Sequence, residues 1–135
     1  MITTLLLLIH TAQRRYIVRR DQLDGLFALS AARSVATEQP LLYRDLGPLL
    51  DPSDQPAQGR CHVLLVNLRR RSVGLLIERA DDLAQLPPDQ LQPLAPLLAH
   101  NLSRPWVTGV CICDDTPVLV LDIACIARDV ALGAA

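Results

Sequence analysis

Lysine is absent from the chain; all 13 basic residues are arginine. No Schiff-base lysine and no phosphate-loop lysine is therefore available. Aromatics are nearly as scarce: one Trp, one Phe and two Tyr, too few for a platform that stacks bases. Charge of one sign is lacking as well. The balance of 13 basic against 14 acidic residues leaves −1, and a nucleic-acid binder needs a clearly basic face. Long apolar runs are missing. Leu5–Ile9 falls far short of the roughly 20 residues that cross a bilayer, and no basic residue precedes it as in a secretory signal. The expectation is a cytoplasmic chain without membrane insertion, whose four cysteines are reduced thiols.

What is present is apolar. Half of the 135 residues are hydrophobic and 20% are charged, enough to bury the core of a single domain. Leu5–Ile9 and Arg15–Arg19, separated by the polar "HTAQ", read as a hairpin with His10 in its turn. In "DQLDGLFAL", Asp21 can cap a short helix. Leu23, Leu26 and Phe27 then fall on one face, at the cost of Gly25 within it. "LLYR" (41–44) is a strand, punctuated by Gly47 and Pro48. "DPSDQPAQG" (51–59) is the clearest loop, expected to be exposed.

"CHVLLVNL" and "SVGLLIERA" read as buried strands, with Arg69–Arg71 at the hairpin tip between them. Pro93 and Pro96 open a short helix over Leu94–Leu102. "WVTGVCIC", "DDT" and "PVLVL" form a second hairpin. Asp122 caps a final helix whose stripe is Ile123, Ile126, Ala127 and Val130, with Gly133 beyond its end. The sum is six or seven short strands and two or three short helices, a mainly β, barrel-like fold.

No catalytic constellation emerges. Cys111 and Cys113 share one face of a strand, but the paired C-x-x-C spacing of zinc ribbons is missing. Cysteine also packs as a small hydrophobe. Cys61 and His62 are adjacent strand residues and point to opposite faces, so they form no dyad. Asp114 and Asp115 suit a turn. Neither H-E-x-x-H, G-x-S-x-G nor a glycine-rich phosphate loop occurs. The expectation is a protein without enzymatic activity, metal or cofactor.

The residues from Val63 to Asp129 resemble the CheW-like domain of chemotaxis coupling proteins. The hairpin "VLLVNLRRRSVGLLIERADDLAQL" is similar to that family's apolar strand, polar turn and Val-Gly-apolar-apolar-acidic pattern. Gly74 stands at the family glycine, and Glu78 comes one apolar residue late. "PLAPLLAHNLSRPWVTGVCICDDTPVLVLDIACI" resembles the closing run, with Gly109, Val110, Leu121 and Asp122 in the family's places. More weakly, "RRYIVRRDQLDGLF" resembles the second strand and the turn after it, and "LLYRDLGPLL" the strand ending in Asp-Leu. "TEQPLL" stands where the family usually carries an Arg-Gly that takes part in receptor coupling.

The resemblance implies two small intertwined SH3-like β-barrels with a few short helices, filling residues 1–135 as one domain. It implies a non-catalytic adaptor that couples the regulatory domain of a CheA-type histidine kinase to a chemoreceptor's cytoplasmic tip, with no cofactor. Partner binding is then expected at the turn after Val18 and the strand at Leu41–Asp45, through Leu23, Leu26, Leu42 and Arg44. On the residues alone two alternatives stay open. One is a small-molecule- or metal-binding β-barrel; the other is an oligomeric module that uses its sheet edges.

Overall fold

A computed structural model describes residues 5–28, 41–57, 61–83, 91–93, 105–113 and 115–133. Among them are ten strands, in two sheets, and two α-helices. The six-stranded sheet takes β1 (Leu6–His10), β2 (Arg15–Arg19), β7 (Arg79–Leu83), β8 (Leu91–Pro93), β9 (Val107–Cys113) and β10 (Thr116–Leu121), in the order β7-β1-β2-β10-β9-β8. The four-stranded sheet takes β3 (Gly25–Ala28), β4 (Leu41–Asp45), β5 (His62–Asn67) and β6 (Ser72–Ile77), in the order β3-β5-β6-β4. The second sheet is thus inserted in the chain between β2 and β7. That is the intertwining the resemblance implied. Neither sheet closes on itself among the described residues, so each is an open rather than a sealed barrel.

Local chemistry explains most elements. Thr11 and Arg14 close the β1–β2 turn: the Thr11 N–H donates to the Arg14 carbonyl at 2.9 Å, and the Arg14 N–H to Thr11 Oγ1 at 3.1 Å. The helix α1 (Leu46–Leu50) carries Pro48 in its first turn, where its missing N–H costs nothing. Gly47 and Pro48 therefore sit inside a short helix. The last helix, α2 (Ile123–Ala131), has the expected cap, with Asp122 accepting from the Cys125 N–H at 3.1 Å. A second cap comes from afar: the Ile123 N–H donates to Gln22 Oε1 at 3.0 Å, and Gln22 Nε2 donates to Asp122 at 3.2 Å. Two of the helix's orphan amides are satisfied in this way. Gly133 adopts φ +71 just past the end, the left-handed turn that glycine takes without penalty.

Three expectations are corrected. The segment 21–28 is no α-helix. A single 3₁₀ turn (Arg20–Gln22) leads into the strand β3, which pairs antiparallel with β5 from Gly25↔Leu65 to Ala28↔His62. A helix that short is marginal alone, and sheet pairing supplies backbone partners along its length. "SVGLLIERA" is not one strand. It changes sheets at Glu78, whose N–H donates to the His10 carbonyl at 2.8 Å, and continues as β7 beside β1. The loop after α1 is irregular over 51–57, but Asp54 within it is buried. The helix expected over Leu94–Leu102 lies outside the described residues.

The main core lies between the two sheets and under α2. Leu7, Ile9, Tyr16 and Val18 meet Leu64, Val73, Leu75 and Ile77 there, together with Ile123, Ile126 and Val130 of α2. Trp106 joins them and donates its indole N–H to Asp129 at 2.6 Å. The opposite face of the six-stranded sheet carries a smaller cluster of Leu6, Ile17, Cys111, Val118 and Val120. Cys111 faces inward as expected. Cys61, Cys111 and Cys125 are free thiols, the first two of them buried.

Candidate functional site

The four residues singled out from the sequence all border the four-stranded sheet, but they occupy its two opposite edges. Leu26 lies on β3 and pairs with Leu64; Leu64 pairs with Leu75; Leu75 pairs with Arg44 on β4. These four residues form one row across the sheet. The inner two are fully buried, whereas Leu26 is 39% exposed and Arg44 half-buried. Three strand spacings separate the ends, about 14 Å. Leu26 and Arg44 therefore mark two edges, not adjacent walls of one groove.

Leu23 and Leu42 are half-buried and pack against the main core. Part of their surface thus belongs to structure rather than to a partner. Arg44 has no ion-pair partner among the described residues, so its charge must reach water or a visiting acid. Its neighbour Asp45 accepts from the Ala57 N–H at 3.1 Å, which fixes the end of β4 to the following loop. Tyr43, on the other face, covers Gly74: a Cβ there would come within 2.9 Å of the Tyr43 ring and of Val63. That close approach is why glycine stands at the position.

The remaining chemistry-bearing side chains are dispersed. His10 ends β1 rather than lying in a turn, and its Nε2 is 3.0 Å from Asp81. His62 Nδ1 is 3.4 Å from the Glu78 carbonyl. The Cys61 thiol is pushed above its ordinary pKa, first by burial and then by the carboxylates of Asp45 and Glu78, the reverse of an activated thiolate. Among the described residues no group of three or more His, Cys, Asp or Glu side chains could hold a metal ion. No helix among them is long and apolar enough to cross a membrane.

At the β5–β6 tip, the Leu68 N–H donates to the Arg71 carbonyl at 2.9 Å, so Arg69 and Arg70 are the turn residues. Arg71 points back to α2 and donates to the Ala131 carbonyl at 3.4 Å, at the negative end of that helix. The arginine block is therefore only partly a solvated turn.

Among the described residues, two interleaved sheets around a shared core, with β3 and β4 at the edges of one and β7 and β8 at the edges of the other, define a small, mainly β module. The family model for the CheW-like domain matches residues 37–131, and the chain belongs to that family. Its fold is similar to that of the scaffolding protein TtCheW from Thermoanaerobacter tengcongensis, with a TM-score of 0.66 at 11% sequence identity over 91% of this chain and 86% of that one. No curated protein matches the chain in sequence.

Proposed function

We propose that this chain is a non-catalytic adaptor of bacterial chemotaxis-type signalling, working in the cytoplasm. It would couple the regulatory domain of a histidine kinase to a receptor's cytoplasmic tip. The observation that carries this reading is the family match over 37–131, joined to a fold like that of a scaffolding protein. That β3 and β4 are the edges of the four-stranded sheet among the described residues supports it physically. Edge strands present unpaired backbone groups that another chain can engage, and each edge here carries one residue suited to a partner, Leu26 on β3 and Arg44 on β4. Leu23 and Leu42 would contribute their exposed parts.

The test is direct binding of the purified chain to a kinase regulatory domain and, separately, to a receptor-tip fragment. A dissociation constant tighter than about 100 μM, or about −5.5 kcal/mol, is expected for at least one of them. Arg44→Glu should weaken that binding about tenfold while leaving the circular dichroism spectrum and thermal midpoint unchanged. Absence of binding to both partners at that concentration, with the chain folded, rejects the adaptor reading.

A further inference from the structure

The tip of the β5–β6 hairpin and the end of α2 lie together, although 60 positions separate Arg71 from Ala131. Arg71 Nη1 donates to the Ala131 carbonyl at 3.4 Å, and Leu68 and Ala131 pack against the same core. Arg69, Arg70 and Arg71 are all exposed. On α2, Ile123, Ile126, Ala127 and Val130 are buried, which leaves the exposed Arg128 on the solvent side. Leu132 follows it by four residues and is its neighbour on that side. It is 80% exposed, more than any other large hydrophobic side chain among the described residues.

Positive charge prevails at this end. Arg70, Arg71 and Arg128 have no ion-pair partner among the described residues. The carboxylates nearby are engaged by N–H donors: Asp24 accepts from the Asn67 backbone and Asp129 from the Trp106 indole, each at 2.6 Å. An exposed leucine thus stands beside three cations. All of them are arginine, whose planar fork binds a carboxylate through two hydrogen bonds. Other anionic partners fit less well. A chain of net charge −1 lacks the broadly basic face that nucleic acid needs. A single leucine supplies far less apolar area than the acyl chain that must accompany a basic patch for stable anchoring on a membrane.

We propose that the β5–β6 tip and the end of α2 together bind a short acidic segment of a partner protein, one in which an aliphatic residue lies between glutamates or aspartates. Its carboxylates would pair with Arg70, Arg71 and Arg128 while the aliphatic side chain covers Leu132, the mode in which arginine clusters read acidic motifs. Arg71 keeps its bond to the Ala131 carbonyl through Nη1 and offers its other N–H groups to the partner. This inference does not rest on the adaptor reading, which places its contacts at Leu23, Leu26, Leu42 and Arg44.

The experiment is an amide proton–nitrogen NMR titration of the full chain with the blocked peptide Glu-Glu-Leu-Glu-Glu. Two controls accompany it: the blocked peptide Gln-Gln-Leu-Gln-Gln, and vesicles of phosphatidylserine with phosphatidylcholine. Saturable shifts at Arg70, Arg71, Arg128 and Leu132 are expected with the acidic peptide and not with the glutamine peptide. The affinity should fall as salt is raised. Arg70→Glu, at an exposed turn position, should weaken binding about tenfold, and Leu132→Ser about fivefold. Both variants should keep the wild-type circular dichroism spectrum; if either does not fold, Arg128→Gln replaces it, with a loss of about fivefold expected. The proposal is overturned by an absence of shifts at these amides, by equal binding of the glutamine peptide, or by full affinity in any folded variant. Shifts at the same amides with the vesicles but not with the acidic peptide would make the patch a membrane contact and likewise overturn it.

Discussion

Thr11 donates its hydroxyl hydrogen to the carboxylate of Asp54, 43 residues further along the chain. The same carboxylate accepts from the N–H groups of Gln13, at 3.0 Å, and Gln55, at 2.8 Å. Asp54 is buried, and Gly47 packs so closely on it that a Cβ there would stand 2.9 Å from Oδ2. A buried carboxylate is tolerated only when its oxygens are bonded in this way. The group pins the loop after α1 to the β1–β2 turn.

Thr11→Val should therefore cost about 1–3 kcal/mol of stability, because it removes one donor from a buried acceptor. Gly47→Ala should destabilise in the same direction, by overpacking. Urea unfolding checks both: the midpoint falls while the slope is preserved. A midpoint unchanged in Thr11→Val would mean that the hydroxyl is not a structural partner of Asp54.

Asp51, at the rim of the same loop, gives an acid dependence of defined sign. The Ser53 hydroxyl and N–H, then the Arg14 guanidinium, hold its carboxyl down to about 2 from an ordinary 3.8. A depressed folded-state pKa means stability that is fully present above the unfolded value and is lost as pH falls through the folded one. Thermal midpoints of the wild type should thus fall through the window from about 3.8 to about 2 more steeply than those of Asp51→Asn. Parallel curves for the two proteins across that window would remove Asp51 from the account.

The arginine tip separates into unequal parts. Arg71→Ser removes the donor to the Ala131 carbonyl and a cation at the end of α2, and should cost about 0.3–1 kcal/mol, less at high salt. Arg70→Ser removes a solvated turn residue and should change stability by less than about 0.5 kcal/mol. Chemical denaturation of the two variants at low and high salt gives the comparison. Equal losses from both would contradict the assigned role of Arg71.

The hairpins of β5 with β6 and of β9 with β10 were legible in the sequence because their information is local. Continuous apolar runs bounded by turn residues leave few alternatives. The helix α2 was legible for the same reason, its Asp122 cap, apolar stripe and terminal Gly133 lying within a dozen residues. Of the candidate site, the strand at Leu41–Asp45 was readable. The placement of Leu26 and Arg44 at opposite ends of one row was not, because it depends on β5 and β6 being laid between them.

Where the sequence misled, a distant partner outweighed the local pattern. Leu23, Leu26 and Phe27 have helical spacing, but Gly25–Ala28 finds its backbone partners on His62–Leu65 and becomes a strand. "SVGLLIERA" reads as one run, yet the His10 carbonyl takes the Glu78 N–H and turns the chain into the other sheet. The sequence 51–59 has the composition of an exposed tip, yet within 51–57 Asp54 meets Thr11 and Gln13, Asp51 meets Arg14, and the Ala57 N–H meets Asp45. Composition and periodicity determined that this chain is mainly β, because that is a property of residue types and their spacing. Tertiary structure decided which strands lie at the sheet edges among the described residues and that β2 and β10 lie side by side, because pairing joins strands far apart in the chain.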